Sequence, residues 1–166
     1  MAIYRQVHVS FWQDPKVIEE MTPEDKYFYL YLLTNPSTTQ IGVYSITKKQ
    51  MAFDMGYSIE SINCLLERFE TYHKVIRYNR ETKEIALLNW GRYNFNREGK
   101  PVEDCVKKEL KQVKDKSLLE LVMQKIENER IKKLFTNALN DSSDDSSTIR
   151  GQEKEEEKKK NKKRNN

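Results

Sequence analysis

The sequence predicts a mainly α fold with a small β-hairpin, an α+β arrangement, and three observations lead there. Residues 58–72 carry Ile59, Ile62, Leu65, Leu66 and Phe69 at the spacing of a helix that turns one face to a core. Just before them, residues 47–55 read as a short helix that Gly56-Tyr57 breaks. Just after them, residues 74–90 read as two strands joined by a polar tip. Helix, helix, hairpin in that order is the skeleton of a winged helix-turn-helix, a module that touches DNA or partner proteins.

Each element has its own warrant. Residues 3–11 alternate weakly, with Ile3, Arg5, Val7 and Val9 against Tyr4, Gln6 and His8, and are expected to form a first strand. Asp14-Pro15 sets an N-cap before a proline at the first helical position, opening a short helix through Met21. Thr22-Pro23-Glu24-Asp25 repeats the signal with carboxylates that favour the positive end of the helix dipole. The helix that follows, residues 23–33, is apolar almost all round, which predicts a central core helix. Asn35-Pro36 ends it, residues 41–46 form a short strand, and Thr47 caps the next helix. In the hairpin, Val75, Ile76 and Tyr78 make one strand, and Ile85, Ala86, Leu87, Leu88 and Trp90 make the other. Residues 79–84 are the polar wing tip.

After Gly99-Lys100-Pro101 the character changes. Val102, Val106, Leu110 and Val113 give one helical stripe, and Leu118, Leu119, Val122 and Ile126 give another. Ile131, Leu134, Phe135 and Leu139 continue it or form a third short helix. These helices are too poor in apolar surface for a core of their own, so they pack back on the first domain or mediate self-association. From Asn140 onward apolar residues nearly vanish, and burial there cannot offset the entropy of ordering. The expected organisation is a winged-helix domain over 1–98, a helical extension over 99–139, and a disordered charged tail over 140–166.

Lys and Arg exceed Asp and Glu by 30 − 26 = 4, too little to imply a polyanionic partner. Residues 1–100 hold 13 basic and 12 acidic side chains, so any cationic patch must be local. Cys64 and Cys105 lack a CxxC spacing or a flanking histidine, and are expected to be reduced, half-buried thiols. The N-terminus has no apolar leader segment and no stretch approaches the ~20 apolar residues of a membrane span, so a cytoplasmic location is expected. His8 and His73 stand alone, and no phosphate loop, HExxH or paired carboxylate motif occurs. Neither an enzyme nor a bound cofactor or metal is expected.

The candidate binding residues fall in four places. A DNA-reading second helix presents polar and cationic side chains to the major groove. Here the face opposite the apolar stripe holds Glu60, Asn63, Glu67, Arg68, Glu70 and Thr71. Three carboxylates against one arginine are repelled by phosphate. Base reading would then fall to Ser61, Asn63 and Arg68, and a surface that binds protein is the other reading. The hairpin brings Arg77, Arg80 and Lys83, and its exit brings Trp90, Arg92, Tyr93, Phe95, Arg97 and Lys100. Cations among aromatics suit a strand whose bases stack on rings, unless Trp90, Tyr93 and Phe95 fill the core, as is expected of Trp90 and Phe95. Lys48 and Lys49 open the first helix of the unit, either clamping a phosphate or simply solvated. In the tail Lys158, Lys159, Lys160, Lys162, Lys163 and Arg164 are six cations in seven residues, partly cancelled by Glu153, Glu155, Glu156 and Glu157. The tail is either a polyanion binder or a solubilising segment.

Tyr4-Arg5-Gln6-Val7-His8-Val9-Ser10-Phe11-Trp12-Gln13-Asp14, followed by Thr22-Pro23-Glu24-Asp25-Lys26-Tyr27-Phe28-Tyr29-Leu30-Tyr31-Leu32-Leu33-Thr34-Asn35, resembles the opening of phage replisome organisers of the DnaD-like class. Thr39-Gln40-Ile41-Gly42-Val43-Tyr44 and Leu88-Asn89-Trp90-Gly91-Arg92-Tyr93-Asn94 extend the likeness over about residues 3–120. The resemblance implies a self-associating winged-helix domain that acts in phage or prophage replication initiation. It also implies DNA binding and helicase-loading or initiation proteins as partners. Longer members carry a second helical domain with a DNA-binding motif, which here has shrunk to residues 116–139 and the charged tail. Two other readings stand beside this one: a protein-interaction module or inhibitor, and a sequence-specific transcription regulator.

Overall fold

The computed structural model describes residues 3–96 and 99–141. Helix α1 (Pro23–Thr34) starts at a reciprocal capping box. The Thr22 hydroxyl accepts from the Asp25 N–H at 3.1 Å, and the Asp25 carboxylate accepts from the Thr22 N–H at 3.3 Å. Strand β1 (Val43–Ser45) leads to α2 (Lys48–Met55), which Thr47 caps and Gly56 ends at φ 74, where a Cβ is disfavoured. Helix α3 (Ile59–Thr71) is capped by Ser58 and buries Ile62, Leu65, Leu66 and Phe69. Strands β2 (Ile76–Asn79) and β3 (Glu84–Leu87) complete an antiparallel sheet in the order β1-β3-β2. A one-turn helix α4 (Trp90–Tyr93), then α5 (Lys100–Gln112), α6 (Ser117–Met123) and a helix α7 over residues 129–141 follow. The architecture is mainly helical with one small sheet.

The register explains why β3 is buried at every position. Ile76 pairs with Leu87, and Tyr78 and Tyr44 both pair with Ile85, which puts these side chains on one face. That face meets α1, where the Tyr44 hydroxyl donates to the Leu32 carbonyl at 2.7 Å. The opposite face carries Val43, Ala86 and Glu84, and α6 lies against it. Covered on both sides, β3 reads as a core strand. The C-terminal helices therefore pack back, and one cluster of buried side chains runs from Phe11 to Phe135.

Glu84 is the pin of that second layer. The sequence puts it in a polar tip, yet it is buried, and its carboxylate accepts from the Lys114 N–H at 2.9 Å and the Asp115 N–H at 2.8 Å. Asn79 reinforces the joint by donating to the Asp115 carboxylate at 2.7 Å. Removing the acceptor takes the partner from two part-buried donors and empties a buried position in the sheet. Glu84→Ala is expected to lose about 2 kcal/mol of stability in urea denaturation, more than an average surface substitution.

Five expectations change. Residues 3–11 do not form a strand: the arm has no regular structure until it turns into a 3-10 helix, Val9–Trp12, begun by the Ser10 N–H donating to His8 Nδ1 at 3.1 Å. The short helix before Met21 is a wider π turn, Lys16–Glu20, with Met21 N–H on the Lys16 carbonyl. The second hairpin strand stops at Leu87, because Trp90 turns into α4 and donates its indole N–H to the Gln40 carbonyl at 2.8 Å. Helix α1 buries Phe28, Tyr29 and Leu32 but leaves Tyr27 exposed and sends Tyr31 to the Asp54 carboxylate, so one side of it meets solvent. Cys105 is half-buried as expected, whereas Cys64 lies exposed on α3. Among the described residues no helix is long and apolar enough to cross a membrane.

Candidate nucleic-acid interface

Helix α3 ties its single cation to α1. The Arg68 guanidinium binds the buried Asp25 carboxylate, with Nη2 at 2.6 Å and Nε at 2.9 Å. The same carboxylate holds the ring of His73, fully buried, at 3.0 Å. Burial alone would push Asp25 up, but bonds from His73, Arg68 and Thr22 outweigh it and hold the carboxyl below its ordinary range. An ionised carboxylate only accepts, so the proton of this bond sits on His73 Nε2. Arg68 is thus a clasp between α1 and α3, held by Asp25 rather than free to reach a base. Ser61 is likewise occupied, its hydroxyl accepting from the Ser58 hydroxyl at 3.0 Å. Asn63 is exposed, and its neighbours on the face are Glu60, Cys64, Glu67 and Thr71. The outer face of α3 is acidic.

The hairpin tip gathers cations from two elements. The Ile46 N–H donates to the Lys83 carbonyl at 2.9 Å, and the Tyr78 hydroxyl donates to the Ile46 carbonyl at 2.8 Å. These bonds set the start of α2, with exposed Lys49 and half-buried Lys48, beside the exposed Lys83 of the tip. The first turn of α2 has no acidic residue, so nothing there neutralises the positive helix end. Asn79 orders the tip by accepting from the N–H groups of Glu81 and Thr82 at 2.9 and 3.0 Å. Arg77 is exposed on the edge strand β2. Arg80 is engaged, pairing with Glu70 at 3.0 Å and lying over the Tyr78 ring.

The hairpin exit forms a second cationic surface at the other end of β3. Trp90 and Phe95 are buried, as the sequence leads one to expect, while Arg92 and Tyr93 face outward. Two cations join Arg92 that the sequence does not single out. Lys125, in the turn after α6, donates to Asn89 Oδ1, and Lys16 reaches the His73 carbonyl. Burial and then the charges of Arg92 and Lys16 depress the Lys125 ammonium below its ordinary range. Among the described residues no carboxylate lies within ion-pair distance of these three. Beside them the N-terminal arm, α1 and the exit enclose a cavity of about 50 Å³, walled by Phe11, Tyr29, Trp90 and Tyr93. Arg97 and the tail cations Lys158, Lys159, Lys160, Lys162, Lys163 and Arg164 lie outside the described residues.

No signal in the local sequence marks Lys125, because it is brought to the exit only by the packing of α6 on α4 and the sheet. In comparisons with protein-family models, curated proteins and solved structures, no match to this chain was found.

Proposed function

We propose that this chain is a DNA-binding accessory protein of phage or prophage replication initiation, built on a winged-helix domain, that self-associates and works with initiation or helicase-loading proteins. The replication role rests on the resemblance of residues 3–35, 39–44 and 88–94. DNA contact rests on one observation: exposed cations collect at the two ends of the hairpin, while the outer face of α3 is acidic. On this reading Lys48, Lys49, Arg77 and Lys83 meet phosphates at the tip, Arg92 and Arg97 meet them at the exit, and the tail run adds sequence-independent attraction. Arg80, held by Glu70, contributes less.

Each neutralised phosphate releases counterions, so binding should fall steeply with salt. Mobility-shift titrations are expected to show a complex at ~50 mM salt that weakens by at least tenfold near ~200 mM, and further when the tail is deleted. No complex at the lower salt overturns the proposal. A protein-interaction module is favoured instead by the acidic face of α3 and by Phe53, which is 84% exposed on α2 beside it. Pull-downs with and without nuclease separate the two, since partners held through DNA are lost on nuclease treatment.

A further inference from the structure

The exit cavity and the cations around it share residues. Asn89 lines the cavity and accepts from Lys125. Tyr93 lines it and adjoins Arg92 on α4. Asp14 lines it and accepts from the N–H of Lys16 at 3.0 Å. The ring of Tyr93 stands 5.6 Å from that of His8, leaving an aromatic rim at the mouth. A void of about 50 Å³ has room for roughly four water-sized groups, enough for the edge of a planar ring. The Tyr29 hydroxyl faces Asn89, which hydrogen-bonds it. Asp14, the one carboxylate among the lining residues, offers an acceptor to a base amino group.

Three cations without carboxylate partners repel one another and are relieved by an anion placed among them. An aromatic cavity alone would suit many apolar ligands, and cations alone many anions. Their adjacency suits a group that is planar at one end and a phosphodiester at the other. A base inside a duplex is stacked on both faces and cannot enter.

We propose that the exit cavity with Lys16, Arg92 and Lys125 is a nucleotide site for single-stranded DNA, taking the edge of one unstacked base against Tyr29, Trp90 and Tyr93 while the flanking phosphates meet the three cations. The site deepens the DNA-binding reading and rests on it. It makes the exit a single-strand contact and leaves the tip cations as a general phosphate contact that either strand form can use.

The test is fluorescence anisotropy of the full chain with a labelled oligonucleotide of about 15 nucleotides, presented as single strand, as duplex, and as a single strand of abasic residues. The single strand is expected to bind roughly tenfold tighter than the abasic strand, and tighter than the duplex. The Lys16→Gln/Lys125→Gln variant, which keeps amide donors for the His73 carbonyl and Asn89, should lose roughly tenfold on the single strand and little on the duplex. Its melting curve reports that it folds. Tyr93→Ala should narrow the gap between the single strand and its abasic form. Equal binding of normal and abasic strands, or an unchanged affinity of the double variant, overturns the site while leaving DNA binding in place. Absence of binding to every probe overturns both.

Discussion

Replacing Asp25 with alanine is expected to lower folding stability by about 3 kcal/mol, measured by urea denaturation at neutral pH. The carboxylate closes the capping box of α1, worth roughly 1 kcal/mol. It also accepts from His73 Nε2, a buried donor whose loss of its partner costs roughly 1–3 kcal/mol. Arg68 contributes less than a fully buried pair would, because its side chain is 37% exposed and can return to solvent. Asp25→Asn, which keeps the shape without the charge, should lose about half as much. The pH dependence has a definite sign. The folded carboxyl titrates below its ordinary 3.8, so its stabilisation is complete above that value and is lost as pH falls through the lower folded one. The difference between wild type and Asp25→Ala should hold steady near neutrality and shrink in acid below about 3.8.

Gly42→Ala should be the most damaging substitution at a glycine. Its φ of +73 already disfavours a side chain, and a Cβ there would lie 2.4 Å from Trp90 Cγ and 2.6 Å from Trp90 Cβ. Trp90 cannot swing aside, since its indole N–H is tied to the Gln40 carbonyl. Backbone strain of about 1 kcal/mol and overpacking of about 2 kcal/mol add to a loss near 3 kcal/mol. Gly56→Ala is the control. It has nearly the same φ of +74 but nothing within 4 Å of the added carbon, so only the strain of about 1 kcal/mol should appear. Because Trp90 walls the exit cavity, Gly42→Ala should also weaken single-strand binding, whereas Gly56→Ala should not.

Local chemistry made much of the fold readable. The cap at Thr22, the stripe of α3, the break at Gly56 and the polar turn after Asn79 each act within a few residues, and each element formed where its signal stood. What the sequence hid depends on partners far along the chain. Glu84 reads as solvated until the 113–116 segment brings two N–H groups to it. Arg68 reads as an outward cation until Asp25, 43 residues earlier, draws it inward. The weak alternation of residues 3–11 suggests a strand, but His8 caps a turn at Ser10 and only Phe11 of the arm is buried. The candidate site was half legible: Arg92 and Tyr93 are adjacent in sequence, while Lys16 and Lys125 reach them only through packing.

The central claim is that DNA meets the hairpin and its exit rather than the outer face of α3. Its most direct measurement is the salt dependence of DNA affinity for two full-length variants, one with Lys48, Lys49, Arg77, Lys83 and Arg92 changed to alanine, the other with Ser61 and Asn63 changed. The first is expected to lose about one unit of salt slope per cation that touches phosphate, and most of the affinity at ~100 mM salt, while the second binds like wild type. Undiminished binding by the first variant, or loss confined to the second, would contradict the account.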